Sequence, residues 1–254
     1  MKNPAIKKAC ALLTVLLAAS SVWAAVYQER DEIKRSFSLP ARARVEVSAI
    51  SGSVDIKAID GDSAIVEIER TARSRAELDC NQVVVEQAAG KLTIHSENQG
   101  GQGCNNIQVV HRVRLSLPRH VDVSVQGVSG PVNIGEIEGA LRISGNSGKI
   151  NLAPSGSGSR IAGNSGSVAI KLRKLDTRGL ELSGNSGAIE LYVDEGVNVD
   201  VKVSRNSGSV SSELPNVEFI KTGAADYYAR IGSGGPTINV HDNSVSVLLS
   251  RSRE

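Results

Sequence analysis

Apolar residues along this 254-residue chain fall on alternate positions in short runs, and the runs are broken by a small polar motif. LRISGNSGKINL (141–152) shows the form, with Leu141 and Ile143 before Ser-Gly-Asn-Ser-Gly, and Ile150 and Leu152 after it. A period of two is that of a half-buried β-strand, and glycine and asparagine tolerate the backbone a tight turn needs. Each copy therefore predicts strand, turn, strand. SRIAGNSGSVAI (159–170), LELSGNSGAIEL (180–191) and VKVSRNSGSVSS (201–212) repeat it at steps of 18, 21 and 21 residues, and VSVQGVSGPVNI (123–134) stands one step of 18 earlier. VEVSAISGSVDI (45–56) shares the template near the start, and ARIGSGGPTINV (229–240) shares it near the end with a slip of one residue in the turn.

A repeat of about 20 residues is too short for a propeller blade and lacks a leucine-rich consensus; it fits one coil of an all-β solenoid. Stacking would pair each strand with its copies in the coils above and below, about 4.8 Å away, so that roughly ten coils make a body about 50 Å long. Asn146, Asn164, Asn185 and Asn206 would then form a turn ladder, each amide bonding along the stack. An antiparallel meander of hairpins is the competing architecture, because NSG also suits hairpin loops.

The stretch from Lys57 to His120 departs from the template. Its longer alternating runs, with a break at Ala88-Ala89-Gly90, predict a hairpin, and RTARSRAELD (70–79) predicts a short helical turn. Cys80 and Cys104 bracket an insertion around 80–104 that the repeat lattice is not expected to hold.

Composition adds a compartment. Residues 1–24 combine Lys2, Lys7 and Lys8, an apolar run from Ala9 to Ala19 and the small-residue pattern Val22-Trp23-Ala24. That is the form of a signal peptide, too short to be a membrane span, and it predicts a mature single domain of residues 25–254. Without the three leader lysines, 26 basic residues face 27 acidic ones, a net charge of −1, so nothing general favours nucleic acid as a partner. In an exported chain the remaining pair, Cys80 and Cys104, reads as a disulfide, with two buried thiols as the alternative. No second apolar segment suggests a membrane span after cleavage.

Candidate chemistry is sparse. Ser147 lacks the Gly-x-Ser-x-Gly context of a nucleophile elbow, and a motif present in several copies argues for a structural rule. APSGSGSR (153–160) lacks the Gly-Lys-Ser/Thr of a phosphate loop, and GGQGCNNIQ (100–108) is one isolated copy of a calcium-type nonapeptide. His95, His111, His120 and His241 are scattered, and Asp60-Gly61-Asp62 reads as a turn between strands 54–56 and 64–68. Beyond the leader, only Tyr27, Phe37, Tyr192, Phe219, Tyr227 and Tyr228 are aromatic, few for sugar stacking. Beside the first strand of the copies run Arg142, Arg160, Lys202 and Arg230, interrupted by Glu181, a possible basic surface column for an anionic envelope polymer.

The strand-Ser-Gly-strand template behind a leader, at 45–56, 123–212 and more loosely 229–240, resembles a bacterial adhesin-like β-repeat family of exported proteins. The resemblance implies a right-handed, single-stranded β-helix-like solenoid in the cell envelope, with no family catalytic residues to carry over and some relatives that look like participants in envelope-stress signalling. The expectation is a non-catalytic, adhesin-like protein of the periplasm or cell surface. It needs no cofactor or metal, and it meets an envelope protein or anionic polymer through a rigid surface. An envelope-stress regulator acting through a signalling protein is the alternative, and a polysaccharide-active enzyme the third reading.

Overall fold

Alternation along each short run sends one set of side chains inward, and in the computed structural model that set forms one continuous core from Leu39 to Leu249. The structure describes residues 29–101, 103–153 and 158–252; the leader and the expected start of the mature chain lie outside them. The elements are β1 (Glu29–Ser38), β2 (Arg44–Ser48), β3 (Gly52–Ile59), β4 (Ser63–Ala72), α1 (Arg75–Cys80), β5 (Asn81–Ala88), β6 (Lys91–Asn98), β7 (Val109–Pro118), β8 (Asp122–Gln126), β9 (Val132–Ile134) and β10 (Leu141–Ser144). They continue with β11 (Ile150–Leu152), β12 (Ser159–Ala162), β13 (Val168–Leu172), β14 (Leu180–Ser183), β15 (Ile189–Val193), β16 (Val199–Ser204), β17 (Val210–Ser212), β18 (Ile220–Lys221), β19 (Tyr227–Ile231), β20 (Thr237–His241) and β21 (Val247–Arg251).

Among the described residues the protein is all-β apart from α1, and the strands form two sheets. Sheet A has the order β1-β4-β7-β3-β9-β11-β13-β15-β21-β17, and sheet B the order β18-β19-β16-β20-β14-β12-β10-β8-β2-β6-β5. The first strand of each copy lies in sheet B and the second in sheet A, so the Ser-Gly turn carries the chain from one sheet to the other. Copies pair in parallel with one another: Arg142 faces Arg160, and Asn151 faces Ala169. A hairpin meander would instead pair the two strands of one copy.

The turn residues are set by two constraints. The first glycine of the motif has positive φ (65° at Gly145, 63° at Gly163, 62° at Gly184), a conformation that Arg205 adopts in the fourth copy at 50°. The second glycine lies against the backbone of the next unit: a Cβ on Gly148 would sit 2.0 Å from the Gly130 carbonyl oxygen, and one on Gly166 would sit 2.0 Å from that of Gly148. No side chain fits that gap, so Ser-Gly recurs because adjacent turns nearly touch.

Four expectations need correction. Eight strand-turn-strand units are present among the described residues, not roughly ten, because β1, β4, β5, β18 and β19 join the sheets as antiparallel strands. The units do not stack in chain order either: β2/β3 sits between β6/β7 and β8/β9, and β20/β21 sits between β14/β15 and β16/β17. The copy at 229–240 is no unit, since its Gly-Ser-Gly-Gly joins antiparallel β19 to β20, and the true last unit is 237–251. Finally, the segment 80–104 is partly in the lattice, because β6 pairs in parallel with β2, continuing the stack.

Candidate functional site

The outward rows of sheet B carry the residues of the basic column, and the geometry divides them. Arg142 and Arg160 are neighbours, Glu181 follows, Asn239 of the inserted unit comes next, and then Lys202. Arg230 stands outside that row, opposite Asp200, to which its Nε donates at 3.1 Å. Arg160 donates to Glu181 at 3.0 Å, so two of the four members of the column, Arg160 and Arg230, meet acids of their own sheet. The row ends in a charge chain that sequence spacing did not reveal. His241 bonds Glu181 through Nε2 at 3.0 Å and Asp242 through Nδ1 at 2.9 Å, and Arg205 donates to Asp242 at 2.8 Å. The Asp242 carboxylate foremost, and Glu181 with it, hold the His241 pKa above its ordinary value.

At the turn edge the asparagines are buried and joined. The Oδ1 of Asn164 accepts from both the backbone N–H and the Nδ2 of Asn146, at 3.0 and 3.1 Å. Asn185 accepts the same two bonds from Asn164 at 3.2 and 3.0 Å, and Asn146 accepts one from the backbone of Val128 at 2.8 Å. Asn185 does not pass the chain to Asn206 but to Asn243 of the inserted unit, at 2.7 and 3.1 Å. Asn206 lies beyond Asn243 and bonds the backbone of Val245, accepting from its N–H at 3.4 Å and donating to its carbonyl at 3.1 Å.

A polar centre is buried beneath the cysteine-bracketed segment. Arg70, only 8% exposed, grips Asp31 through Nε at 2.8 Å and also through Nη2. Its Nη1 donates to the carbonyls of Leu78 and Asn81, fixing the end of α1 at which Cys80 bonds Cys104. Beside it His111, fully buried, has no hydrogen-bond partner at either ring nitrogen among the described residues. Burial, and then the neighbouring Arg70 charge, lower its pKa from 6.5 to about 4, against a smaller opposing pull from Asp31. The unfolded chain therefore takes up this proton first as pH falls. Stability is complete above pH 6.5 and about 3 kcal/mol of it is lost by pH 4. Urea unfolding at pH 7 and pH 4 should show that loss reduced by a similar amount in His111→Leu; parallel pH profiles for the two proteins would show that His111 is not the acid-sensitive group.

The other candidates go to local structure. The Oγ of Ser147 donates to the carbonyl of Ser129 at 3.2 Å, His95 bonds Glu97 at 2.8 Å, His120 pairs with Glu138 at 2.9 Å, and Asp60 pairs with Arg119 at 2.9 Å. The Asp60-Gly61-Asp62 turn joins β3 to β4 across the end of the intervening β7. Among the described residues no three His, Cys, Asp or Glu side chains converge as a metal site, and no helix is long and apolar enough to cross a membrane. Half of the phosphate-loop-like segment, 154–157, lies outside the described residues, as does Gln102 of the nonapeptide-like loop.

The outer face of sheet A holds what sequence reasoning missed. The eleventh position of successive copies lines up as Asp55, Asn133, Asn151, Ala169 and Glu190. Asn151 donates to Asn133 at 2.7 Å, Asn133 donates to Asp55 at 2.6 Å, and the Tyr192 hydroxyl donates to Glu190 at 2.6 Å. One row on, Gly135 and Ala153 leave the sheet almost bare between Lys57 and Lys171. The result is a shallow depression of about 420 Å³, floored by these amides and Ala169 and ended by Tyr192. Tyr192 also borders a second depression of about 480 Å³, which reaches Leu248, Arg251 and Glu213.

A family model described as Toastrack DUF4097 matches residues 26–247. No curated protein matches the chain. Among solved structures, one provisionally described as a cell adhesion protein from Clostridium sporogenes is 12% identical, with a TM-score of 0.43, covering 87% of this chain and 100% of its own. One provisionally described as an adhesin from Bacteroides fragilis is 15% identical, with a TM-score of 0.39 and coverage of 87% and 97%. A third, provisionally described as a lipid binding protein from Parabacteroides distasonis, is 13% identical, with a TM-score of 0.28 and coverage of 87% and 95%.

Proposed function

We propose that this chain, which belongs to the Toastrack DUF4097 family, is an exported cell-envelope protein that works without catalysis, by presenting a rigid β surface to an envelope partner. The observation that carries this reading is where the repeated residues are spent. Asparagines and glycines of the motif are consumed in joining one unit to the next, while the outward positions form two broad arrays of side chains at strand spacing. Such an array suits binding along an extended surface, as in other stacked-repeat proteins. The Cys80–Cys104 disulfide supports export, since such bonds persist in oxidising compartments. We further read residues 1–24 as the leader, residues 25–254 as one folded unit, and the winding as right-handed, the hand that parallel crossover connections take almost without exception.

Cell fractionation followed by binding tests that reading. The protein is expected in the periplasm or at the cell surface with its leader removed, and the purified protein is expected to sediment with isolated envelope material. Recovery in the cytoplasm with residues 1–24 intact, or no association with any envelope fraction, would overturn it.

A further inference from the structure

We propose that the depression on the outer face of sheet A, from Lys57 across Asn133 and Asn151 to Lys171 and Tyr192, binds a linear acidic polysaccharide. The inference rests on the envelope-surface reading above and names the partner's chemistry. Charge gives its sign. The two acids of this row are hydrogen-bonded within it, Asp55 accepting from Asn133 and Glu190 from the Tyr192 hydroxyl. Lys57 and Lys171 line the same depression, and neither has an ion pair among the described residues. Against these two ammonium groups the lining holds one carboxylate, Asp55, so its net charge is +1 and a partner with negative groups is favoured.

Spacing gives the shape. Lys57 lies on β3 and Lys171 on β13, with β9 and β11 between them, so three strand steps separate their backbones by about 14 Å. A single phosphate or carboxylate meets both amines only if both side chains lie flat across the intervening strands, whereas a polymer with charges repeated along its length meets each over its own strand. The bare strip at Gly135 and Ala153 gives such a chain room to lie flat across the strands, with each strand step close to the rise of one sugar unit.

The floor distinguishes a glycan from an acidic peptide. β9, β11 and β13 are interior strands with a partner on each side, so their backbone groups are committed to the sheet and a peptide could not add to it as a strand. The face offers side-chain amides instead. The Nδ2 of Asn133 and that of Asn151 each spend one proton within the ladder and keep a second for a ligand oxygen. The Tyr192 ring adds an apolar edge beside polar groups, the combination on which a sugar ring packs. Amide donors, one aromatic and two separated amines match a uronic-acid polymer.

The test uses polygalacturonate as the probe, with neutral dextran and polyglutamate beside it. Titration in low salt is expected to show binding of polygalacturonate in preference to both, weakening as salt rises. Replacing Lys57→Gln and Lys171→Gln together should weaken that binding about tenfold, the effect of removing two exposed ion contacts. Asn151→Ala should weaken it with no charge removed. Arg142→Gln with Lys202→Gln, on the opposite sheet, should leave it unchanged. Equal binding of polyglutamate, no binding of polygalacturonate, or an equal loss in the sheet B variant would overturn the proposal. If the Lys57/Lys171 variant still sediments with envelope material as the parent does, this site is refuted while the broader function stands.

Discussion

A chain ending at Gly235 is expected to lose cooperative folding altogether, although it lacks only the last strand-turn-strand unit. In a stack built in chain order, removing the last unit shortens the body and leaves the rest intact. Here β20 and β21 fill the slot between β14/β15 and β16/β17, so their removal opens the interior of both sheets. β16 keeps only antiparallel β19, and β17 loses its single partner. Ile238, Val240, Val245, Val247 and Leu249 are no more than 3% exposed. At about 1.5 to 3 kcal/mol each, their burial contributes roughly 8 to 15 kcal/mol as an upper estimate, as much as the net stability of an ordinary domain. A chain ending at Ser252 is the control, since β21 is then complete. Denaturant unfolding followed by circular dichroism should show a single sharp transition for the control and none for the chain ending at Gly235. A sharp transition in the shorter chain, displaced only slightly, would mean that the last unit is an end of the stack and not a wedge within it.

The same inserted unit marks where the sequence stops being legible. Period-two alternation identifies the strands of the central copies because each is buried on one face and solvated on the other, as in Leu141-Arg142-Ile143. Steps of 18 and 21 residues give parallel pairing and register there, since identical turns must superpose. Spatial order is different, because a unit fits any slot whose neighbours present the same turn. Asn243 can follow Asn185 as well as Asn206 could, and nothing local says which does. The last unit also hides itself: Val245 stands where other copies have the second glycine, so a search for Ser-Gly finds Gly232-Ser233-Gly234 instead. The same limit applies to the faces. Arg142, Arg160 and Lys202 are visible as a series, but Glu181 pairs with Arg160 from the neighbouring strand and also holds His241, which lies 60 residues away in the sequence. The depression on sheet A is legible in the repeat, since Asp55, Asn133 and Asn151 occupy one template position and Lys57 and Lys171 the position two residues further on.

Asn164→Val is expected to cost about 2 to 6 kcal/mol, and the reason lies in how the ladder is wired rather than in volume. Valine fits the position: Val128 occupies the equivalent place two units away and is itself buried. With valine at 164, the backbone N–H there still donates to Asn185, as the Val128 N–H does to Asn146. What is lost is the carbonyl that accepts both the N–H and the Nδ2 of Asn146. Asn146 and Asn164 are each 1% exposed, so water cannot replace it, and two orphaned buried donors cost about 1 to 3 kcal/mol each. Asn164→Asp separates the two halves of the role. Its carboxylate keeps the acceptor for Asn146 but cannot donate to Asn185, and it faces the Asn185 oxygen instead. Burial and that contact raise the carboxyl pKa in the folded state above about 3.9, so the penalty applies at neutral pH and is relieved as pH falls through the raised value. The stability gap between Asn164→Asp and the parent should therefore narrow between pH 7 and pH 4, while the gap for Asn164→Val stays constant. If all three proteins unfold at the same urea concentration at pH 7, the turns are held by glycine contact and strand pairing alone, and the asparagine column contributes no net stability.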